Sequence, residues 1–330
     1  MGKRSFLDLI ISFLPGLAPS EKITLLNAVE TEEELFIKTQ RQIEELLCRH
    51  IKNYWDINDI RDKADRIDTF CGLRSIKWVS WTNDNFPPLL REIYDSPAVL
   101  YYKGNLPNPE KPLLGMVGTR KPSPEAASQA YRIACGAGKA GISVISGLAF
   151  GIDAMSHRGN LLGDVPGYAV LGSGIDDIYP SANRPLAKQI LDSGGALLSE
   201  YPPGVHPTKW SFPARNRIIS ALSRSVIIVE APERSGSLIT ASFALDQGKD
   251  LWVASVGTKT ANMLFDRRGT IKLAEDGAEI INSENDVLEK WNIKKESLRT
   301  TSSMALNVLQ GKNGRRDAIS SMADFLKIEI

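Results

Sequence analysis

A turn suited to holding a phosphate group follows the apolar run Leu113–Val117. It consists of Gly118-Thr119-Arg120, so backbone N–H groups, a hydroxyl and a guanidinium come within three residues. Ser123 and the proline after it have the residue types that cap and begin a helix. Because guanidinium groups and helix N-termini attract phosphate, we predict that Arg120 contacts a phosphate group.

Three more glycine-bearing turns follow apolar runs later in the chain. They begin with Ser146-Gly147, with Gly172 and with Arg234. If the apolar runs are parallel strands, their carboxyl ends meet at one edge of the sheet, where open α/β sheets bind ligands. Taken singly, each turn has a simpler explanation, since glycine often ends a strand. Together with Arg120 they favour a phosphate site at that edge.

The segment from residue 207 to residue 217 combines cations with aromatic residues in an apparent loop before a helix. Aromatic faces stack on unpaired bases and cations hold the phosphate backbone, which are the two requirements of a single-strand site. The alternative is an aromatic loop buried against the sheet. The candidate binding residues of this segment are Lys209, Phe212, Arg215, Asn216 and Arg217, with Trp210 as a second aromatic residue.

Patterns typical of cofactor, metal or catalytic sites are weak in this sequence. The nearest match to a dinucleotide-binding turn, Gly172-Ser-Gly-Ile-Asp-Asp177, ends in an aspartate that would repel a pyrophosphate. There is no Walker A sequence and no metal-ligand spacing. Asp153 and His157 have the helical spacing of a pair, which would orient the helix start. We therefore expect no cofactor, no metal and no enzymatic activity.

Apolar runs alternate with helical stretches from residue 113 onward, and the runs are continuous rather than alternating with polar residues. The six predicted strands are Leu113–Val117, Ile142–Ile145, Tyr168–Leu171, Ala196–Ser199, Val226–Glu230 and Leu251–Val256. This pattern predicts a doubly wound α/β fold with a mainly parallel sheet covered on both faces. Residues 1–72 have helical periodicity and predict a small all-helical domain, with a helix-hairpin-helix type of turn at Phe13–Leu17. The predicted helices are Phe6–Leu14, Glu21–Val29, Glu32–Arg49 and Asp59–Phe70. We predict that residues 73–291 form the α/β domain and that residues 292–330 are a short tail with one helix from Arg316 to Ile328.

Composition limits the kind of polyanion site that the chain can form. The 330 residues include 40 Lys and Arg against 39 Asp and Glu, a net charge of +1. No long-range field would therefore attract nucleic acid, and any such site must be a local patch. The three cysteines have no paired spacing, which favours a reduced, cytoplasmic protein. No apolar stretch reaches the ~18 residues of a membrane span.

Six motifs in order resemble the DNA-processing protein family called DprA or Smf. The resemblance extends upstream through Phe86-Pro-Pro-Leu-Leu90 and Leu100-Tyr-Tyr-Lys-Gly104. The motifs are Gly115-Met-Val-Gly-Thr-Arg120, Val144-Ile-Ser-Gly-Leu-Ala-Phe-Gly-Ile-Asp153, Ala169-Val-Leu-Gly-Ser-Gly174, Leu198-Ser-Glu-Tyr-Pro-Pro-Gly204, Phe212-Pro-Ala-Arg-Asn-Arg-Ile-Ile219 and Arg234-Ser-Gly-Ser-Leu-Ile-Thr240.

The resemblance implies a fold, a function and a set of site residues. The fold is an extended Rossmann-like domain after a small helical one. The function is non-enzymatic: binding single-stranded DNA as a homodimer, protecting incoming strands in natural transformation and helping to load the RecA recombinase. By motif, the phosphate pocket would be formed by Gly118, Thr119, Arg120, Ser146 and Gly147. Lys209 would contact the DNA backbone, Phe212 would stack on a base, and Asn216 and Arg217 would complete the wall.

The chain departs from the family pattern at three places. Phe150 stands where many members have a small or basic residue, and Ile271 stands in a segment that usually carries an asparagine after glycine. Many members also end in a winged-helix domain, and the tail from residue 292 is too short for a complete one. The role of that domain is therefore not carried over.

A nucleotide-processing enzyme is the alternative for the same architecture. The LOG-like phosphoribohydrolases resemble this chain near Arg234–Thr240, where they carry a glycine-rich motif followed by a glutamate. In this sequence the segment has phosphate-binding groups but lacks the acid. The two hypotheses therefore differ in whether the crevice holds a strand or cleaves a nucleotide.

Overall fold

The strands of the chain pair in one sheet. The computed structural model of the protein describes residues 3–52, 55–260 and 264–293. Within these residues the sheet has nine strands: β1 (Lys77–Ser80), β2 (Val99–Gly104), β3 (Leu113–Val117), β4 (Ser143–Ser146), β5 (Tyr168–Val170), β6 (Ala196–Ser199), β7 (Ser223–Ile228), β8 (Asp250–Ala254) and β9 (Glu279–Ile281).

The order of the strands creates a crevice in the middle of the sheet. Across the sheet the order is β1-β2-β6-β5-β4-β3-β7-β8-β9. All pairs from β6 to β9 are parallel, and β1 and β2 are antiparallel at one edge. The chain moves from β3 toward β6 on one side and then crosses to the other side of β3 to form β7. The predicted doubly wound, mainly parallel α/β fold is confirmed, and the order reverses between β3 and β7, where such sheets bind ligands.

Helices cover the sheet, so the central strands are apolar throughout. Strands β3 to β6 are buried along their whole length. Ala169 belongs to one buried cluster, and its neighbours Tyr168 and Val170 belong to another, because alternate residues of a strand face opposite sides. The helices are α1 (Lys3–Ser12), α2 (Pro19–Ala28), α3 (Glu32–Ile37), α4 (Gln40–Leu46), α5 (Ile57–Leu73), α6 (Pro88–Arg91), α7 (Pro124–Lys139), α8 (Ile152–Asn160), α9 (Arg184–Asp192), α10 (Ser211–Leu222), α11 (Gly236–Asp246), α12 (Arg268–Glu275) and α13 (Glu284–Lys290).

The first five helices form the expected N-terminal helical region. Leu7 of α1, Leu25 of α2 and Ala64 of α5 are buried in the same cluster as Ala169 and Leu197 of the sheet. These helices therefore share a core with one face of the sheet. The domain boundary at residue 72 stays a prediction, as does any contact of the Phe13–Leu17 turn with DNA.

The prediction of one continuous helix over residues 32–49 was wrong. A reciprocal cap at Thr39 begins α4 separately: the hydroxyl of Thr39 accepts a hydrogen bond from the N–H of Gln42, and the Gln42 side chain accepts one from the N–H of Thr39. A capping box of this kind starts a new helix because it satisfies backbone donors that have no helical partner.

Sequence patterns did not reveal β9, whose first two residues are exposed. The described residues up to Val287 form one compact unit, and the described residues Leu288–Ile293 belong to a second. The helix predicted over Arg316–Ile328 and almost all of the predicted tail lie outside the described residues. No helix in the described ranges is long and apolar enough to cross a membrane.

Candidate nucleic-acid interface

A cleft of about 900 Å³ opens where the strand order reverses. Its walls come from the turns after β3 and β7, from the start of α10 and from the start of α11. Of the predicted site residues, those that line it are Gly118, Thr119, Arg120, Lys209, Phe212, Arg215 and Asn216. The other lining groups include Asp153, Glu230, Arg234, Ser235, Ser237 and Thr240.

The turn after β3 is fixed against the end of β7. The N–H of Thr119 donates to the carbonyl of Glu230 over 2.8 Å. A Cβ at position 118 would lie 2.7 Å from the side chain of Ile152 and 3.0 Å from the same Glu230 carbonyl, so this close approach requires glycine. The turn therefore holds Arg120 at the edge of the cleft.

Arg120 is an exposed cation that rests on an aromatic ring. Its guanidinium carbon lies 5.2 Å from the centre of the Phe212 ring. In the described part of the chain, no carboxylate lies within ion-pair distance of Arg120. An exposed guanidinium without a carboxylate partner is available to an anion, and the ring beneath it attracts the cation and restrains its position.

Arg215 is buried beneath the cleft rather than exposed in it. Its guanidinium donates to the carbonyl of Gly147 over 2.6 Å and to that of Val170, and its Nε donates to the Asn216 side chain over 2.9 Å. Burial lowers the pKa of Arg215 to about 10, against the opposing effect of Asp153, so it remains charged at neutral pH. Arg215 therefore ties β5, α10 and the turn after β4 together.

The predicted pairing of Asp153 with His157 is wrong. Asp153 accepts hydrogen bonds from the N–H groups of Gly147 and Ala149 at 3.2 and 3.4 Å, and lies 3.9 Å from Arg215. His157 is fully buried, and neither ring nitrogen has a hydrogen-bond partner among the described groups. Asp153 therefore holds the turn after β4 without a contact to His157. Burial raises the pKa of Asp153.

Three of the predicted site residues are turned into the structure. The hydroxyl of Ser146 donates to the carbonyl of Met116 over 2.6 Å. The Asn216 amide donates to the carbonyl of Gly236, which joins α10 to α11. Arg217 points away from the cleft and forms a bidentate pair with Glu200, with both distances 2.7 Å. Arg217 is also 2.9 Å from Asp95, so its side chain is engaged on the opposite side of α10.

The loop before α10 presents its aromatic residues to solvent. Trp210 is 73% exposed, and the Lys209 ammonium lies 4.9 Å from the centre of its ring. Phe212 is half-buried and lies 5.5 Å from the ring of Tyr179. The sequence left open the alternative that this loop is buried against the sheet. The exposure of Trp210 excludes that alternative. Hydrogen bonds between Thr208 and Ser211 hold its end at the start of α10.

Sequence reasoning missed a buried ion-pair network in the floor of the cleft. Glu230 accepts hydrogen bonds from the N–H and hydroxyl of Ser123 at 2.7 and 2.9 Å, and from Arg267 at 2.6 Å. An isolated acid directly after an apolar strand was a signal for Glu230, but no local pattern marked Arg267. Ser123 also caps α7 as predicted, since its hydroxyl accepts from the N–H of Ala126.

The two departures from the family pattern have different positions. Ile271 lies on α12 and is not among the described residues that line the cleft, where Leu264, Phe265 and Asp266 contribute instead. Phe150 borders a small recess beside the cleft, together with Arg120 and Phe212. The Ile271 departure therefore leaves the described lining unaltered, whereas Phe150 adds a ring to it.

Comparison with known protein families finds one that matches most of this chain. The model of the family described as DNA recombination-mediator protein A matches residues 77–292. The chain belongs to this family. It is 42% identical over 208 residues to protein Smf of Synechocystis, which covers 62% of this chain and 51% of that protein. It is 37% identical over 238 residues to the DNA processing protein DprA of Bacillus subtilis, covering 71% and 78% of the two chains.

Two solved structures of the family have the same architecture. DNA processing protein A of Streptococcus pneumoniae aligns with a TM-score of 0.68 and 32% identity, over 88% of this chain and 98% of that one. A structure of the Helicobacter pylori protein, described by its single-stranded DNA binding mode, aligns with a TM-score of 0.57 and 30% identity, over 65% and 95%. The chain spans about half the length of the Synechocystis relative.

Proposed function

We propose that this protein binds single-stranded DNA in the cleft between β3 and β7 and does not catalyse a reaction on it. The observation that carries the proposal is the contact between Arg120 and Phe212, which places an unpaired cation 5.2 Å from a ring at the mouth of the cleft. A phosphate needs the cation, and an unpaired base needs the ring. The Helicobacter pylori relative, whose structure is described by its single-stranded DNA binding mode, supports the same ligand.

The charge distribution favours a single strand over a duplex. The net charge is +1, and the exposed cations at the cleft, Arg120, Lys121, Lys209 and Arg234, form a local group. Proteins that hold duplex DNA neutralise many phosphates over a wide surface. A confined cleft with exposed rings instead suits a flexible strand whose bases are free to stack.

The site residues divide into contact and support roles. Gly118, Thr119 and Arg120 would contact a phosphate, with Lys209 on the DNA backbone and Phe212 on a base. Gly147 leaves room for the guanidinium of Arg215, which donates to its carbonyl and supports the turn after β4. Ser146, Asn216 and Arg217 act through the fold, because their polar groups already hold protein partners.

The three carboxylates that line the cleft favour binding rather than hydrolysis. Asp153 accepts backbone hydrogen bonds, Glu230 is held by Ser123 and Arg267, and Asp266 pairs with Arg268. Each already has protein partners, so none is free to act as the acid of a phosphoribohydrolase. Incubation of the purified protein with nucleoside monophosphates should release no free base, and release would favour that alternative.

In the cell, the proposed role is to protect incoming single strands in natural transformation and to help load RecA onto them. The family description as a recombination mediator supports this role. We propose that the protein does so in the cytoplasm as a homodimer. Delivery of RecA to a strand coated with a single-strand-binding protein, measured with and without this protein, tests the loading step.

Titration of a labelled oligo-dT in a gel-shift assay tests the binding proposal. Arg120→Ala should weaken binding, while Arg132→Ala, an equal change of charge at an exposed position on α7, should leave it unaltered. Absence of any shift at low salt, or an equal loss in both variants, would contradict the proposal.

A further inference from the structure

Three aromatic rings border a recess beside the cleft. The rings of Tyr179 and Phe212 have centroids 5.5 Å apart and are tilted by 42°. Phe150 and Tyr179 are each 48% exposed, and all three rings line the recess together with Arg120. The recess holds only about 20 Å³, too little for a nucleobase to enter. A base could therefore contact only the exposed faces of the rings at its rim.

The position of Phe150 relative to the cleft is fixed by backbone contacts. Gly151, the next residue, has φ of 76° and packs directly against the backbone of Thr119 and Arg120, where a Cβ would overlap their atoms. The N–H of Ile152 donates to the carbonyl of Thr119 over 3.2 Å. The turn that carries Phe150 is thus anchored on the turn that carries Arg120.

Tyr179 is held at the same rim by a second connection. The side-chain amide of Asn183 donates to the carbonyls of Leu148 and Ala149 at 2.8 and 3.2 Å, which joins the segment after Tyr179 to the turn before Phe150. Ile178, next to Tyr179, packs against the buried core. Both exposed rings therefore sit on anchored backbone, so a ligand would not have to order them.

Core packing does not account for the exposed faces of Phe150 and Tyr179. Exposed apolar groups that are clustered at the edge of a polar site mark a binding surface more often than isolated ones do. Phe212 is already contacted by Arg120 on its ring and by Tyr179. The uncovered aromatic area next to the proposed phosphate site is supplied by Phe150 and Tyr179.

We propose that Phe150 and Tyr179 form a second base-stacking position, next to the one at Phe212. Its ligand is the nucleobase of the neighbouring nucleotide in the same single strand, held without base selection because every base has an aromatic face. This inference rests on the proposed function of the cleft, since it assumes that a strand is held at Arg120.

Abasic scanning of the ligand tests this position without changing the protein. Fluorescence anisotropy is measured with a labelled ten-nucleotide oligo-dT and with versions that lack one base at successive positions but keep every phosphate. The wild-type protein should lose about 5- to 100-fold in affinity at two or more positions, one for each stacked base. Sensitivity at one position alone would overturn the second stacking position.

Two variants then assign the effect to the rings. Phe150→Leu and Tyr179→Leu should each weaken binding of the intact oligonucleotide about 5-fold or more and remove the sensitivity at one abasic position. Tyr94→Leu removes a ring that is 87% exposed and does not line the cleft or the recess, so it should bind as the wild type does.

The outcomes separate this inference from the function on which it rests. If the wild-type protein binds no single strand, the proposed function fails and the inference fails with it. If the wild type binds and Arg120→Ala weakens it, but Phe150→Leu and Tyr179→Leu behave like Tyr94→Leu, the cleft stands and the second position is overturned.

Discussion

Arg215 occupies the space that a side chain at position 147 would fill. A Cβ built on Gly147 would overlap the guanidinium, which donates a 2.6 Å hydrogen bond to the Gly147 carbonyl. The glycine of the turn after β4 is therefore required by a buried cation, and the cation is held in place by that same turn. The floor of the cleft depends on both residues.

Replacing Gly147 by alanine should destabilise the protein by about 2–4 kcal/mol, because the added methyl group displaces a buried, hydrogen-bonded charge. It should also weaken single-strand binding, since the turn after β4 would shift. Chemical denaturation measures the free energy of unfolding.

The matched control for this change is Gly72→Ala. Gly72 lies inside α5, has ordinary helical backbone and has no atom near the added Cβ. Alanine at this position should stabilise the protein by up to about 1 kcal/mol, because glycine is a poor helix former. An equal loss of stability in both variants would show that Gly147 has no special relation to Arg215.

Substitution of Arg217 should lower the stability of the protein, whereas substitution of Arg120 should weaken its binding to DNA. Arg217→Ala removes a buried guanidinium and leaves the partly buried Glu200 without its bidentate partner, so it should cost about 2–4 kcal/mol of stability. Arg120→Ala should leave stability almost unaltered because its guanidinium is exposed, but should flatten the slope of log K against log salt by about 0.7 for the lost phosphate contact. Thermal unfolding and salt titrations of oligo-dT binding measure the two effects. A flatter slope for Arg217→Ala in folded protein would put that residue in contact with DNA.

Stability should fall on mild acidification because of His157. Burial, reinforced by Arg215, lowers the pKa of His157 to about 3 from its usual 6.5. Between these values the unfolded chain binds the proton and the native protein does not, so the free energy of unfolding decreases as pH falls, by up to about 1.4 kcal/mol per pH unit. The buried Asp153, whose pKa is raised, acts in the opposite sense at lower pH.

Urea denaturation between pH 7 and pH 5 measures this slope. The variant His157→Leu, which places an apolar side chain in the same buried site, should have a smaller slope than the wild type. Identical slopes in the two proteins would show that His157 takes up no proton on unfolding.

Much of the fold follows from local pattern. Continuous apolar runs predicted six central strands, and the position of glycine turns at their ends predicted the edge at which the cleft lies. The break at Thr39 was missed because both flanking segments have helical periodicity, although Thr39-Gln-Arg-Gln42 is a capping-box sequence that signals a helix start. The edge strand β9 was missed because it is short and two of its three residues are exposed.

The site was harder to predict than the fold, because the direction of a side chain is set by its tertiary partners. Arg215 and Arg217 lie two residues apart in one helix, yet one supports the cleft and the other pairs with Glu200. Arg120 has no such partner among the described residues and stays exposed. Arg267 supports the lining residue Glu230, which is more than thirty residues away in sequence, and no spacing rule identifies that contact.

A crystal structure of the protein with a short oligo-dT tests the proposed DNA site most directly. We expect a strand in the cleft between β3 and β7, with a phosphate against Thr119 and Arg120 and a base on the ring of Phe212. A strand bound elsewhere on the protein, with the cleft unoccupied, would contradict it.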